Sequence, residues 1–384
     1  MDDNDRREAG RFLRLAALFA APWLALLGLP SAVLLRSGEL APTAEVVRRQ
    51  AGDAPVLFGP AYRAATVPYK LNALLARRPT LAVLGTSRSM QLRGGFVKEP
   101  ASFYNAAGVV SHVRDYRAFL SHIPRAGQPE LVVLGLDQNF LNPVWEDALD
   151  TDLEAQLRTD GAGFMTTLQS AWRKIYVDWW SGKFPLSAAL ADSGGRLGLH
   201  AIANGNGYRN DGSYRYGKAL RHPVSDPLSE DYRFEKTLDK IAHGADRFTP
   251  GSELSAPALA EIDRLLGEFA ARGIHVVGFL PPYPHAVHRR MTESGEFGYL
   301  AKIASALRPL FAARGFALLD FSDQAALDSP DTEALDGFHA SETAYARLLL
   351  RLAEADPRLR RRVDVDGLSA RLRGTPAPLS LLGD

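Results

Sequence analysis

The run Leu131-Val-Val-Leu-Gly-Leu136 is apolar at every position. A strand with two apolar faces needs cover on both sides, which a parallel sheet layered between helices supplies. Four other short stretches suit the same sheet: 80–84, 102–106, 274–280 and 316–321. Amphipathic patterns between them predict helices over 112–122, 256–272, 298–314 and 342–355. Gly273 and Gly315 stand where two of these helices must stop, and Ser341 is a good N-cap for the last. Such alternation predicts an α/β fold built on a doubly wound, five-stranded parallel sheet.

The alternation breaks over about 138–255, which reads as an insertion. A helix is expected at 164–180, followed by a run rich in Gly, Asn and Tyr at 204–217 whose turn chemistry suits hairpins or ordered loops. Trp172, Tyr176 and Trp180 recur at helical spacing and read as a packing stripe. Tyr208, Tyr214 and Tyr216 lie in the turn-rich run and are candidates for touching a substrate.

The N-terminus places the chain. Residues 15–35 carry no charge, and at about 1.5 Å per residue they cover roughly 30 Å of hydrocarbon. Arg6, Arg7, Arg11 and Arg14 precede this run, a bias that predicts a cytoplasmic N-terminus. The expectation is a single-pass, uncleaved anchor in the inner (cytoplasmic) membrane. Residues 1–14 would be cytoplasmic, and everything beyond about 37 would face the periplasm or cell exterior. A cleaved signal peptide is the rival reading, but no convincing Ala-x-Ala site follows. After the anchor, 36–78 reads as a polar stalk and entry segment that includes an entry helix, 79–357 as the α/β domain and 358–384 as a surface tail. Lys and Arg number 45 against 44 Asp and Glu, so no global charge argues for nucleic acid as a partner. The chain has no cysteine, which excludes disulfides and thiolate metal sites.

Two distant segments could carry chemistry. Gly85-Thr-Ser87 follows an apolar strand, where functional groups gather in open α/β sheets, and Ser87 is expected to begin a helix. Thr86, Ser87 and Ser89 are also all competent N-caps. Asp336-Gly-Phe-His339 stands just ahead of the last helix, and a spacing of three lets the carboxylate fold back onto the imidazole. A serine hydroxyl becomes nucleophilic when such a base takes its proton. Taken alone, the second segment also reads as a polar turn pivoting on Gly337.

Together these segments resemble the first and last blocks of the SGNH (GDSL-like) hydrolase superfamily. Asn105-Ala-Ala-Gly108 follows the second strand, where that family places a glycine whose N–H helps form the oxyanion hole. Gly135-Leu-Asp137 ends the third strand, where the family has Gly-x-Asn. The resemblance covers about 80–140 and 273–355, and it implies a flavodoxin-like sheet of SGNH type. It also implies a Ser87–His339–Asp336 triad, with Ser87, Gly108, Asn105 and the position of Asp137 around the oxyanion. Asp137 departs from the pattern, because an ionised carboxylate has no hydrogen to donate. Gln138, Asn139 or Asn105 could supply the donor instead; Asp137 could be protonated, or structural and paired with Arg88.

Arg88, Asn139, Tyr283 and His285 are the candidates for contacting substrate. His285 and His288 share a metal-like spacing but no acidic third ligand accompanies them, so neither a metal nor a cofactor is expected. Anchored members of the resembled family take part in O-acylation of envelope polysaccharides and teichoic acids. The resemblance therefore implies acyl chemistry, with acetyl favoured, on an envelope glycan, and an acylated glycan or an acyl-donor protein as partner. The alternative is a catalytically silent SGNH-fold protein that binds glycan or scaffolds an envelope assembly. A small-ligand binder on a flavodoxin-like sheet is a weaker option, since no phosphate-cradling glycine motif or Walker sequence supports nucleotide binding.

Overall fold

The computed structural model describes residues 3–63, 65–148, 152–162, 164–184, 193–374 and 377–383. The portions of the expected cytoplasmic segment, stalk, insertion and tail at 1–2, 64, 149–151, 163, 185–192, 375–376 and 384 lie outside them.

All five expected strands form one parallel sheet. They are β2 (Leu81–Leu84), β3 (Phe103–Asn105), β4 (Leu131–Gly135), β8 (His275–Leu280) and β9 (Ala317–Asp320), in the order β3-β2-β4-β8-β9. Every residue of β2, β4 and β8 is buried, as strands apolar on both faces require. The chain leaves β2 for β3 on one side and returns to β4 on the other. The carboxyl ends of β2 and β4 therefore flank a topological switch point, where such sheets open a crevice.

The crossover from β3 to β4 uses α4 (Val113–Ser121). A helix at Ala256–Ala271 leads into β8, and another at Leu300–Ala312 leads into β9. The last helix of the sheet layer, Glu342–Ala355, starts at Ser341, whose hydroxyl accepts from the Ala344 N–H. The expected helix after β2 is absent: Ser87–Ser89 is a single 3-10 turn.

Three features depart from the sequence reading. The expected stalk is folded into the domain: α2 (Thr43–Gln50) and α3 (Thr66–Arg77) bury Val46, Val47, Tyr69 and Leu74. Between them β1 (Leu57–Phe58) joins a second sheet with β5 (Arg196–Leu197), β6 (Asn206–Tyr208) and β7 (Tyr214–Tyr216), in the order β5-β1-β6-β7. The predicted hairpin is the antiparallel β6–β7 pair of that sheet. The tail is also packed, with Leu359, Val363 and Leu368 buried and the Ser341 and Thr343 hydroxyls donating to Pro378 O and Ala377 O. Runs of two or three sheet residues and six-residue helices carry too little periodicity to be read from sequence.

The N-terminal helix α1 (Asp3–Arg36) contains 34 residues, and it is long and apolar enough to cross a bilayer. Its end is riveted to the domain by Glu39, a buried carboxylate accepting from the N–H groups of Ala61, Tyr62 and Leu199. Burial pushes the Glu39 carboxyl above its ordinary value against those donors and Arg63.

Candidate active site

Backbone geometry presents Ser87. Gly85 and Gly135 face each other across the switch point with the buried Ser89 hydroxyl between them. A Cβ at either glycine would lie 2.4 or 2.1 Å from Ser89 Oγ, so both positions need the missing side chain. Thr86 takes the capping role, its Oγ1 accepting from the Arg88 N–H at 3.1 Å. The Ser87 hydroxyl is left for other work.

Its partner is His339. Ser87 Oγ and His339 Nε2 are 2.9 Å apart across 252 positions of sequence. On the far side of the ring, His339 Nδ1 lies 2.9 and 3.0 Å from the two Asp336 carboxylate oxygens. Asp336 Oδ1 also accepts the N–H groups of Phe338 and His339, both at 2.7 Å. Around this turn Ala334 bridges Ala340 and the Leu335 N–H donates to His339 O at 2.8 Å. The Asp-x-x-His segment is therefore the tip of a tight loop whose backbone fixes both side chains. Although burial raises the Asp336 carboxyl, the His339 charge and hydrogen bond and the two N–H donors outweigh it. The carboxyl is held below its ordinary value.

Arg88 ties the serine turn to four neighbours. Its fully buried guanidinium donates to Gln138 Oε1 at 2.6 Å and Pro281 O at 2.9 Å. Its Cζ also lies over Tyr283 and Phe338, 3.9 and 4.7 Å from their ring centroids. These contacts make Arg88 and Tyr283 interior supports, a correction to their expected contact with substrate. Asn139 is buried as well. His285 is exposed and, with His288, faces Asp323.

The expected oxyanion donors fare unequally. The Gly108 N–H is committed to Gly85 O at 2.8 Å. The Asn105 amide donates to Ser89 O and Leu92 O and accepts from Ala107, so it braces the turn. Gln138 donates to Pro281 O and Ser322 Oγ. Asp137 accepts from Thr86 Oγ1 at 3.0 Å and stands 4.0 Å from Arg88, so its structural role is direct. Burial pushes the Asp137 carboxyl up, against Arg88, Arg247, the Thr86 hydroxyl and His339. Among the described residues, the Asn139 amide is the buried candidate with neither end bonded. The Ser87 N–H is the backbone candidate not spent elsewhere.

Compared with known proteins, the chain matches no family model, no curated protein and no solved structure. Its site is therefore read from its own geometry.

A cavity of about 370 Å³ opens beside His339 and Asp336, in the range of small-ligand pockets. Tyr214 and Tyr216, two of the candidates for touching a substrate, line it from β7, and Tyr216 packs 5.4 Å from the His339 ring. Tyr208 instead lies buried under the Lys70 ammonium. Unforeseen parts of the wall include Phe248, the cations Lys218, Lys236, Lys240 and Arg247, and the acids Glu230, Asp231 and Asp246, with Lys218 paired to Glu230 and Lys240 to Asp246. Asp231 accepts from the Gly337 N–H at 2.8 Å and from the Thr237 hydroxyl at 2.6 Å, clamping the histidine loop to the insertion. These positions are scattered over 206–248 with no local pattern, and only the tyrosines carried a sequence signal.

The tyrosine hairpin is clasped to the serine turn. The Tyr214 N–H donates to Met90 O at 3.0 Å, and Gln91 Nε2 donates to Tyr214 O at 2.7 Å. These bonds join the turn that carries Ser87 to the hairpin that lines the cavity.

Proposed function

We propose that the chain is a membrane-anchored serine esterase or O-acyltransferase of SGNH type, acting on acyl esters, acetyl foremost, of a cell-envelope polysaccharide. The observation that carries this reading is the continuous hydrogen-bonded chain from Ser87 Oγ through His339 to Asp336, at 2.9 Å on each side of the imidazole. Ser87 Oγ attacks the acyl carbonyl carbon while His339 Nε2 takes its proton. Asp336 fixes the tautomer and stabilises the imidazolium. Collapse of the tetrahedral adduct expels the alcohol oxygen, protonated by His339, and leaves an acyl-serine. Water completes hydrolysis, whereas a glycan hydroxyl completes transfer. The Ser87 N–H supports the oxyanion, and Tyr216 with the mixed-charge wall receives the glycan portion.

The location follows from the anchor. An arginine-rich N-terminus on the cytoplasmic side of the inner membrane leaves the domain in the periplasm, where envelope glycans are modified. Labelling with a fluorophosphonate tests the reading. Wild type should react, and Ser87→Ala and His339→Ala should not; equal labelling of Ser87→Ala defeats the proposal.

A second reading, a silent glycan-binding or scaffold protein, is favoured by one observation. The Gly108 and Asn105 donors are spent and an acid occupies the Asp137 position. Losing one oxyanion donor costs about 2.7–4 kcal/mol in an active enzyme. Glycan binding that survives His339→Ala, with no hydrolysis of aryl acetates by wild type, favours that reading.

A further inference from the structure

The insertion helix α7 (Phe164–Trp180) does not pack on the parallel sheet; it packs on α1. Trp172 Nε1 donates to Ser31 Oγ at 2.9 Å, and the Tyr176 hydroxyl donates to Leu26 O at 2.5 Å. Val33 and Leu34 of α1 are buried in the same cluster as Leu168, Ala171 and Ile175. All four α1 positions belong to the uncharged stretch 15–35. Leu26 lies nine residues before Leu35, or roughly 14 Å of helix inside that stretch. Whatever surrounds α1 at this depth must also surround α7.

The outward face of α7 matches such surroundings. Val177 is 61% exposed and Trp180 92%, a placement no water-facing packing explains. Arg173 and Lys174 are exposed on the same side. The single acid of the helix, Asp178, turns inward and accepts from the Tyr62 hydroxyl at 2.9 Å, with Lys183 beside it. Tryptophan and long cationic side chains with an inward-turned acid suit the boundary between acyl chains and headgroups.

We infer that α7 is a second membrane-contacting element, seated in the leaflet on the domain side, with Val177 and Trp180 in the acyl boundary and Arg173 and Lys174 at lipid phosphates. This inference rests on reading α1 as a membrane span. It makes the catalytic domain an object fixed on the bilayer surface rather than one swinging on a tether. The hairpin carrying Tyr216 belongs to the sheet built next to that joint.

The chain lacks cysteine, so single labels can be placed without background. Spin labels at Leu24→Cys, Val177→Cys, Trp180→Cys and Glu293→Cys are compared in the full-length protein, reconstituted in phosphatidylethanolamine–phosphatidylglycerol nanodiscs. Collisions with oxygen are read against those with a water-soluble nickel chelate. The inference expects the 24, 177 and 180 labels to favour oxygen and the 293 label to favour nickel. Lipid-like values at 24 with water-like values at 177 and 180 overturn it and leave the anchor standing. Water-like values at 24 remove the anchor reading and the inference with it. Dipolar broadening between Trp180→Cys labels on two copies gives the face to a second protomer and likewise overturns it.

Discussion

Asp336 does two jobs with one carboxylate, orienting His339 and holding the loop backbone. Asp336→Asn keeps the shape but loses the charge that stabilises the imidazolium. The turnover of an acetyl ester should fall about 10⁴-fold with little change in KM, as steady-state kinetics would read. The same carboxyl makes a stability prediction. Its folded value is depressed, so its stabilisation is present above the unfolded carboxylate range and is lost as pH falls through the folded value. Denaturant midpoints taken down to about pH 3 should therefore drop more steeply for wild type than for Asp336→Asn. At Gly337, an added Cβ would lie 2.4 Å from Thr237, displacing the histidine loop. Gly337→Ala should abolish activity while costing about 1–3 kcal/mol of stability, and Thr237→Gly in the same chain should restore part of the activity. At this scale the sequence was most legible where chemistry forces a residue type: serine, histidine and acid came together as read. It was least legible for donors, because whether the Gly108 N–H or the Asn105 amide is free depends on carbonyls that folding brings alongside.

At the scale of elements, the strands and long helices could be read because each repeats its pattern over enough residues. The 3-10 turn after β2 defeated the expectation of a helix: the connection to β3 is instead braced by side chains such as Arg88 and Asn105. Lys70 of α3 is the boldest of these braces. Fully buried, its ammonium donates to Asn105 O at 2.7 Å and to Gly212 O, and lies 4.6 Å from the Tyr208 ring centroid. Burial, opposed by Asp211, brings its amine down to about 7. Between about pH 7 and the ordinary lysine value the unfolded chain holds a proton that the folded chain has released. Stability should therefore climb with pH across that window. Urea midpoints at pH 6.5 and 9.5 should rise for wild type and stay level for Lys70→Met; a flat wild-type profile contradicts the assignment.

At the scale of the whole molecule, α1, the 39–62 joint, the second sheet and the serine turn form one connected path. Glu39 ties the end of α1 to Leu199, β1 pairs with β6, and β7 is bonded to Met90 near Ser87. The pairings that join these parts were not visible in the sequence, where 36–78 looked like a stalk and entry segment, since contacts between distant two-residue strands leave no periodic trace. The alternation that predicted the parallel sheet did place Ser87 and His339 at one edge, and all the proposed chemistry depends on that meeting. The most direct test is to mix the full-length protein with an aryl acetate, quench early, and locate any acetyl group by peptide mass. Acetyl on Ser87, formed in a burst of phenol release and lost in His339→Ala, is the predicted result. No acetyl at Ser87, or equal acetylation in His339→Ala, would contradict it.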